Sequence, residues 1–520
     1  MFLSKTKFLL YTYKYNTLKD NQMKMLKCAS LDGIEAVSIA VESTFTKGLP
    51  NFSIGGMANT AIQESKDRIK SALLTNDFKF PPKRITINLS PSEIAKKGSQ
   101  VDLSIALLIA LQETELKLDE FYVFGELGLD GSLKDTKSIF VLILSLVRQG
   151  RIKNVLIPKE SIAKVSTIPN LNIYAVENLS EAIAFFHKED KSEYKIENKI
   201  FEYENINING EKFYFTKKYE SNFKEIKGQT LAKKAALISA AGNHNLIFEG
   251  SPGCGKSMIA KRLKDIAAPM NLEEILDMAK MESLQGKQPD FNPKRTFISP
   301  HHSSTKASIV GGTQIGEVAL SNHGILFFDE LPHYAKTVLE AMREPLEDNE
   351  ISISRVNTKI KYPTKFLFVC AMNPCPCGNL LAQSKECRCS SLEIQRYKNK
   401  ISDPFLDRID LYVTMNEVTK DDVSDVTSEE LHSKVIDAFK LQKLRGQKEL
   451  NGKLNDVDIK RYCTLTKEAQ KILDISIEKF VLSFRAINKV LKVARTIADL
   501  NAKEMIDSVH IIEALSYRKR

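Results

Sequence analysis

At 520 residues, 43% of them hydrophobic and 27% charged, the chain describes a globular protein too long for one core, and two to four domains are expected. The formal net charge of +10 permits contact with nucleic acid without requiring it. No uninterrupted apolar stretch reaches the roughly 18 residues of a membrane-spanning helix, which argues against a helical membrane protein.

In chain order, residues 1–22 come first. Their apolar stretch, residues 8–11, is too short for the core of an export signal, and no small-residue cleavage site follows. Met23 and Met25 are alternative starts, so 1–22 is read as an extension from a mis-assigned start. Without an export signal the expected location is cytoplasmic, with the eight cysteines mostly reduced.

Residues 23–188 alternate strand-like stretches (36–42, 85–89, 121–124, 155–157) with helical ones (60–76, 103–113, 138–149, 179–186), which predicts an α+β domain. Residues 189–222, rich in Lys, Glu, Asn and Tyr, read as a linker. Residues 223–418 carry the densest chemistry, with buried-strand candidates at 365–371 and 409–413. Residues 419–520 hold no Gly or Pro apart from Gly446 and Gly452, and their periodic Leu/Ile/Val pattern predicts a helical bundle.

Within 223–418, the apolar run 245–249 leads into Gly250-Ser251-Pro252-Gly253-Cys254-Gly255-Lys256-Ser257 and then a helix-compatible stretch. That order of strand, glycine loop and helix is what a phosphate-binding P-loop needs. The glycines let successive backbone N–H groups point inward as an anion-binding nest. Lys256 is placed to reach the β- and γ-phosphates of ATP or GTP, and Ser257 to offer its hydroxyl to Mg²⁺. About 70 residues further on, the apolar run 325–328 ends in Asp329 and Glu330. Acids leaving the carboxyl edge of a buried parallel strand stand where ligands bind in open α/β sheets. Asp329 can complete the Mg²⁺ shell and Glu330 can polarise an attacking water.

Further landmarks complete a pattern. The strand-like Phe366-Leu367-Phe368-Val369-Cys370-Ala371-Met372 ends in Asn373, Arg408 precedes another strand within 402–410, and Arg485 opens a helix at 482–486. Together these resemble sensor 1, the arginine finger and sensor 2 of an AAA+ ATPase. Asn373-Pro374-Cys375-Pro376-Cys377-Gly378, Pro300-His301-His302-Ser303, the run 493–500 and the N-terminal runs 48–50 and 80–89 are similar to the magnesium-chelatase-like AAA+ family of the YifB/ComM type. The resemblance covers 23–520 in the right order. It implies an α/β chain with an N-terminal α+β domain of the Lon-protease-like (ribosomal-S5-type) fold, a central P-loop AAA+ αβα module and a C-terminal helical lid of chelatase type. It also implies a hexameric ring working on single-stranded or branched DNA, as a translocase or branch-migration helicase in recombination or natural transformation. Asn373 then orients the attacking water beside Glu330. Arg408 serves the neighbouring subunit's γ-phosphate, and Arg485 senses nucleotide state from the lid. The alternative is a chelatase- or chaperone-like remodelling ATPase with a protein partner.

Two motifs stand apart. Cys375, Cys377, Cys387 and Cys389 form C-x-C, a nine-residue gap, then C-x-C, which suggests tetrahedral Zn²⁺; free thiols in a turn and labile disulfides are the rivals. For His301 and His302 a structural or capping role is favoured over metal or DNA contact. The segment 303–314, with its hydroxyls, glycines and single Lys306, is the candidate for a moving loop on a phosphate backbone. The serine–lysine pair of a Lon-type peptidase is missing: Gln100 takes the nucleophile position, Ser99 is one residue off, and the lysine position falls near Phe140 with Lys134 and Lys137 close by. The expectation is a catalytically inactive domain that acts as a scaffold or a DNA-facing collar.

Overall fold

The computed structural model describes residues 24–312, 314–354, 359–419, 421–424 and 426–518; the 1–22 extension lies outside them. Two compact units emerge, one ending at Glu202 and joined by residues 282–289, the other made of 203–281 and 290–520. No helix among the described residues is long and apolar enough to cross a membrane.

In the first unit, β1 (Lys24–Asp32), β2 (Glu35–Thr46), β3 (Asn51–Gly55), β4 (Arg84–Ser90), β5 (Phe121–Val123), β6 (Asn154–Pro158), β7 (Asn172–Val176) and β8 (Lys195–Ile196) form one mixed sheet. Its order is β8-β7-β6-β5-β1-β2-β4-β3. In β4 the alternate residues Ile85, Ile87 and Leu89 are buried while Arg84 and Asn88 face solvent, the period of a half-covered strand. β5, β6 and β7 run parallel, so helices must return the chain between them. Helices α1 (Thr60–Thr75), α2 (Asp102–Ala110), α3 (Ile139–Arg148) and α4 (Leu179–His187) fall within the predicted stretches or one residue beyond. α3 is buried continuously from Ile139 to Leu146, as a helix apolar all round must be. α2 stops three residues before its expected end. There the Lys24 ammonium donates to the Leu111 carbonyl at 2.5 Å and the Thr114 hydroxyl to the same oxygen at 2.8 Å, satisfying the helix terminus from outside.

In the second unit, β9 (Glu204–Ile208) and β10 (Glu211–Phe215) pair as a hairpin inside the stretch expected to be a linker, and Phe213 enters the unit's core. After α5 (Thr230–Gly242) come β11 (Leu246–Gly250), α6 (Lys256–Arg262), β12 (Met270–Asn271), α7 (Leu272–Leu284), β13 (Phe297–Ile298), β14 (Ile325–Phe328), β15 (Glu350–Ser354), β16 (Lys359–Pro363), β17 (Leu367–Met372) and β18 (Leu411–Met415). The central sheet is parallel throughout, in the order β13-β14-β17-β11-β18. Every residue of β11, β14 and β17 is buried, which is why 246–248, 325–328 and 367–372 read as unbroken apolar runs.

Five helices follow: α8 (Ser428–Leu444), α9 (Asp456–Tyr462), α10 (Lys467–Phe480), α11 (Phe484–Leu500) and α12 (Ser508–Ser516). They share one core with the sheet, since Val490, Val493, Ile497 and Tyr517 pack in the same cluster as Leu246, Phe248 and Val413.

That core holds two buried histidines, His244 and His432, and burial pushes both down to about 4. The unfolded chain takes up these protons near pH 6.5, so between the two values it binds more protons than the folded one. Burial also opposes protonation of His323, yet Asp277 and Glu274 outweigh it and raise that group, which works in the other direction. The stability that His244 and His432 contribute is full above about pH 6.5 and is lost as pH falls toward 4, whereas His323 and Asp102, whose carboxyl burial raises to about 7, contribute in the opposite sense. Between pH 7 and pH 5 a His432→Asn variant should therefore lose less Tm than the unaltered chain; an equal loss in both would refute the expectation.

Candidate nucleotide site

The P-loop leaves the end of β11. Gly250 lies so close to β18 that a Cβ would stand 2.8 Å from the Met415 carbonyl oxygen, and Gly253 and Gly255 take φ of +81° and +97°, which only glycine adopts freely. α6 starts at Lys256, a nearly buried side chain at 8% exposure. Its Nζ donates to the carbonyl oxygens of Gly250 (2.6 Å) and Ser251 (3.0 Å) and to Asn373 Oδ1 (3.1 Å). Burial lowers its pKa, and the charges of Asp329 and Glu330 work against that shift. Ser257 Oγ donates to Asp329 Oδ2 at 2.8 Å.

Asp329 and Glu330 follow β14, and Asn373 follows β17, so three adjacent strands deliver Lys256, Ser257, Asp329, Glu330 and Asn373 to one carboxyl edge. Glu330 is exposed and has left-handed backbone (φ 51°), an uncommon state for a residue with a side chain and one that concentrates at functional sites. His302 Nδ1 stands 3.5 Å from Glu330 Oε2. His301 Nδ1 meets Ser303 Oγ at 2.7 Å, closing its own turn.

Arg408 and Arg485 sit elsewhere. β18 starts at Leu411, whose register partner is Leu246, so Arg408 belongs to the amino edge of the sheet. Asn245, the residue before β11, donates to the Arg408 carbonyl at 2.9 Å. Five residues of strand separate that edge from the P-loop, about 16 Å. Arg408 pairs with Glu347 and donates from Nε to the Arg343 carbonyl at 3.3 Å. Arg485 pairs with the same Glu347 and reaches Asp407 Oδ2 at 3.4 Å. The two arginines thus meet on one carboxylate. Beside them opens a cleft of about 570 Å³ lined by Arg343, Arg408, Arg485, Lys489 and Arg518.

The four cysteines converge: the sulfurs of Cys375, Cys377, Cys387 and Cys389 all lie within 4.8 Å of one another. None is in a disulfide. In the 303–314 segment, Thr305 caps a short helical turn at Lys306–Ile309, and Ser303, Thr305, Lys306 and Ser308 are exposed; Thr313 lies outside the described residues.

In the first unit the expected nucleophile position holds a buried Gln100, whose amide donates to the carbonyls of Ala29 (3.2 Å) and Lys97 (2.8 Å). Phe140 is fully buried, and the Ser99 hydroxyl is bonded to Glu126, a carboxylate rather than a lysine.

Sequence reading passed over Gln229, which ties the site together from behind. From a left-handed backbone (φ 57°) its amide donates to the Cys254 carbonyl in the P-loop (3.1 Å) and to the Asn416 carbonyl after β18 (2.6 Å). The available signal was Gly228-Gln229 directly before a helix, a turn that holds a polar side chain. His302 beside Glu330 was likewise missed as a neighbour of the site.

Three family models match: "Magnesium chelatase, subunit ChlI" over residues 222–423, "Subunit ChlI of Mg-chelatase" over 41–161, and "Magnesium chelatase, subunit ChlI C-terminal" over 425–518. The chain is 36% identical over 499 residues to the competence protein ComM of Haemophilus influenzae, covering 94% of this chain and 95% of that one. It is 34% identical over 500 residues to the uncharacterized protein YifB of Escherichia coli, with 94% and 95% covered. A magnesium-chelatase subunit ChlI homolog of Methanocaldococcus jannaschii is 22% identical over 178 residues, 29% of this chain and 49% of that protein.

Proposed function

The chain belongs to the magnesium-chelatase-like AAA+ family of the YifB/ComM type, and from that membership and the site geometry we propose an ATP-hydrolysing motor that assembles as a ring and moves along DNA. One observation carries the ring. The groups suited to phosphate and water stand at one edge of the parallel sheet, and the paired arginines at the other, about 16 Å away. A single copy cannot close both around one nucleotide, whereas head-to-tail neighbours can.

In this reading residues 23–188 are the Lon-protease-like domain without peptidase chemistry, 223–418 the ATPase core and 419–520 the lid. Lys256 leaves the loop carbonyls for the β- and γ-phosphates. Ser257 and Asp329, two hard oxygen donors already 2.8 Å apart, suit Mg²⁺, which supplies charge neutralisation between the phosphates. Glu330 polarises the water and Asn373 orients it. Arg408 and Arg485 leave Glu347 to meet the neighbour's γ-phosphate.

The DNA half rests on the name of the ComM relative and on the exposed hydroxyls and Lys306 of the 303–314 segment. The test is the ATPase rate of the full chain with single-stranded, forked and four-way-junction DNA, with Lys256→Ala as the blank. Stimulation that weakens as salt rises supports backbone tracking. Hydrolysis indifferent to every DNA overturns the DNA half and leaves the remodelling of a protein partner.

A further inference from the structure

The cysteine cluster is built to a metal's dimensions. Cys375 and Cys377 sulfurs are 3.4 Å apart, and each lies 3.7 Å from Cys387. A tetrahedron with Zn–S bonds of 2.3 Å has sulfurs about 3.8 Å apart, whereas a disulfide needs about 2.05 Å. Soft sulfur ligands in a closed set of four select zinc over the hard cations suited to Ser257 and Asp329.

Position adds a second point. Cys375 follows Asn373 by two residues, and Asn373 Oδ1 accepts from Lys256 Nζ. Gly378, at φ +80°, presses its Cα against the P-loop so closely that a Cβ would lie 2.6 Å from Pro252 Cδ and 2.7 Å from Cγ. The cluster is therefore wedged between the end of β17 and the phosphate loop. Its folded form decides where both stand.

We propose that Cys375, Cys377, Cys387 and Cys389 bind one structural Zn²⁺ per chain, and that the metal clamps the 373–389 loop against Pro252 so as to hold Asn373 and the P-loop in register. The second half rests on the nucleotide reading above; the first does not.

Two measurements separate them. Full-length protein purified under reducing conditions should contain one zinc per chain by elemental analysis. A mercurial titration should release it as four thiols react, and Cys387→Ser with Cys389→Ser should reduce it to background. No zinc in the purified chain and none retained after stoichiometric Zn²⁺ is added, or the thiols found as disulfides, overturns the site. Because the double variant can misfold, the titration on unaltered protein stands as the independent readout.

For the clamp, stripping zinc from the unaltered chain with a chelator should weaken binding of a fluorescent ATP analogue about tenfold, and returning Zn²⁺ under reducing conditions should restore it. Unchanged affinity after zinc loss overturns the clamp. If the unaltered chain binds no nucleotide at all, the nucleotide reading fails while the zinc count still stands.

Discussion

Arg408→Ala is expected to lower ATP turnover about 10³-fold or more while nucleotide affinity and melting temperature stay near those of the unaltered chain. The size follows from what an arginine supplied by a neighbour contributes to phosphoryl transfer. The preserved affinity follows from its place on the amino edge, away from the P-loop. The decisive form is a mixing experiment. Lys256→Ala keeps its arginine and loses its phosphate grip; Arg408→Ala does the reverse. Equal amounts of the two inactive chains should regain activity, because about one interface in four then joins an intact P-loop to an intact arginine. A mixture as inactive as its parts would show that each copy works alone. Glu347 adds a control: once Arg408 is removed it still holds Arg485, so the surface keeps one ion pair.

Glu330→Gln should reduce turnover by about 10²- to 10⁴-fold, the usual contribution of a positioned base. The exchange keeps size and shape but turns an acceptor-only carboxylate into an amide that cannot take the water's proton, and glutamine tolerates the left-handed backbone (φ 51°) as well as glutamate does. ATP should still bind and accumulate unhydrolysed, detectable by filter binding and by a longer residence of a fluorescent analogue. The nearby His302 gives an internal comparison: its ring touches the carboxylate without standing on a strand edge of its own, so His302→Ala should cost less. Turnover within tenfold of normal in Glu330→Gln would remove this residue from the chemistry.

The central strands could be read in advance because both faces of β11, β14 and β17 are covered, which leaves Leu246 to Phe248, Ile325 to Phe328 and Leu367 to Met372 as unbroken apolar runs. The strands of the first unit were harder. β1 places Lys24 and Lys27 among its buried Leu26, Cys28 and Ala29, and β3 is five residues at the edge of its sheet. The alternation that marks a strand is lost in both.

Local spacing found the residues of the phosphate edge: Asp329, Glu330 and Asn373 follow their strands within two positions, and Lys256 and Ser257 close the glycine loop that leaves β11. It could not find the meeting of Arg408 with Arg485, because Glu347, which joins them, lies 61 residues before one and 138 before the other. Gln229 escaped for the same reason: its partners, Cys254 and Asn416, are 25 and 187 residues away. The cysteines were visible as a pattern but not as a tetrahedron. Their convergence depends on the turn at Gly378, where the Gly378 N–H donates to the Cys375 carbonyl at 3.0 Å.

The placement of the two arginines opposite the phosphate loop gives each copy an input side and an output side. In the proposed ring, what a subunit learns from its own nucleotide would arise at the carboxyl edge, while Arg408 and Arg485 would be lent to a neighbour from the amino edge, with the stiff parallel sheet between them. A closed circle of such parts passes a signal one way round, as a queue does. One defective member therefore silences the partner that depends on its arginines as well as itself, so a small fraction of damaged chains should remove more than its share of the work.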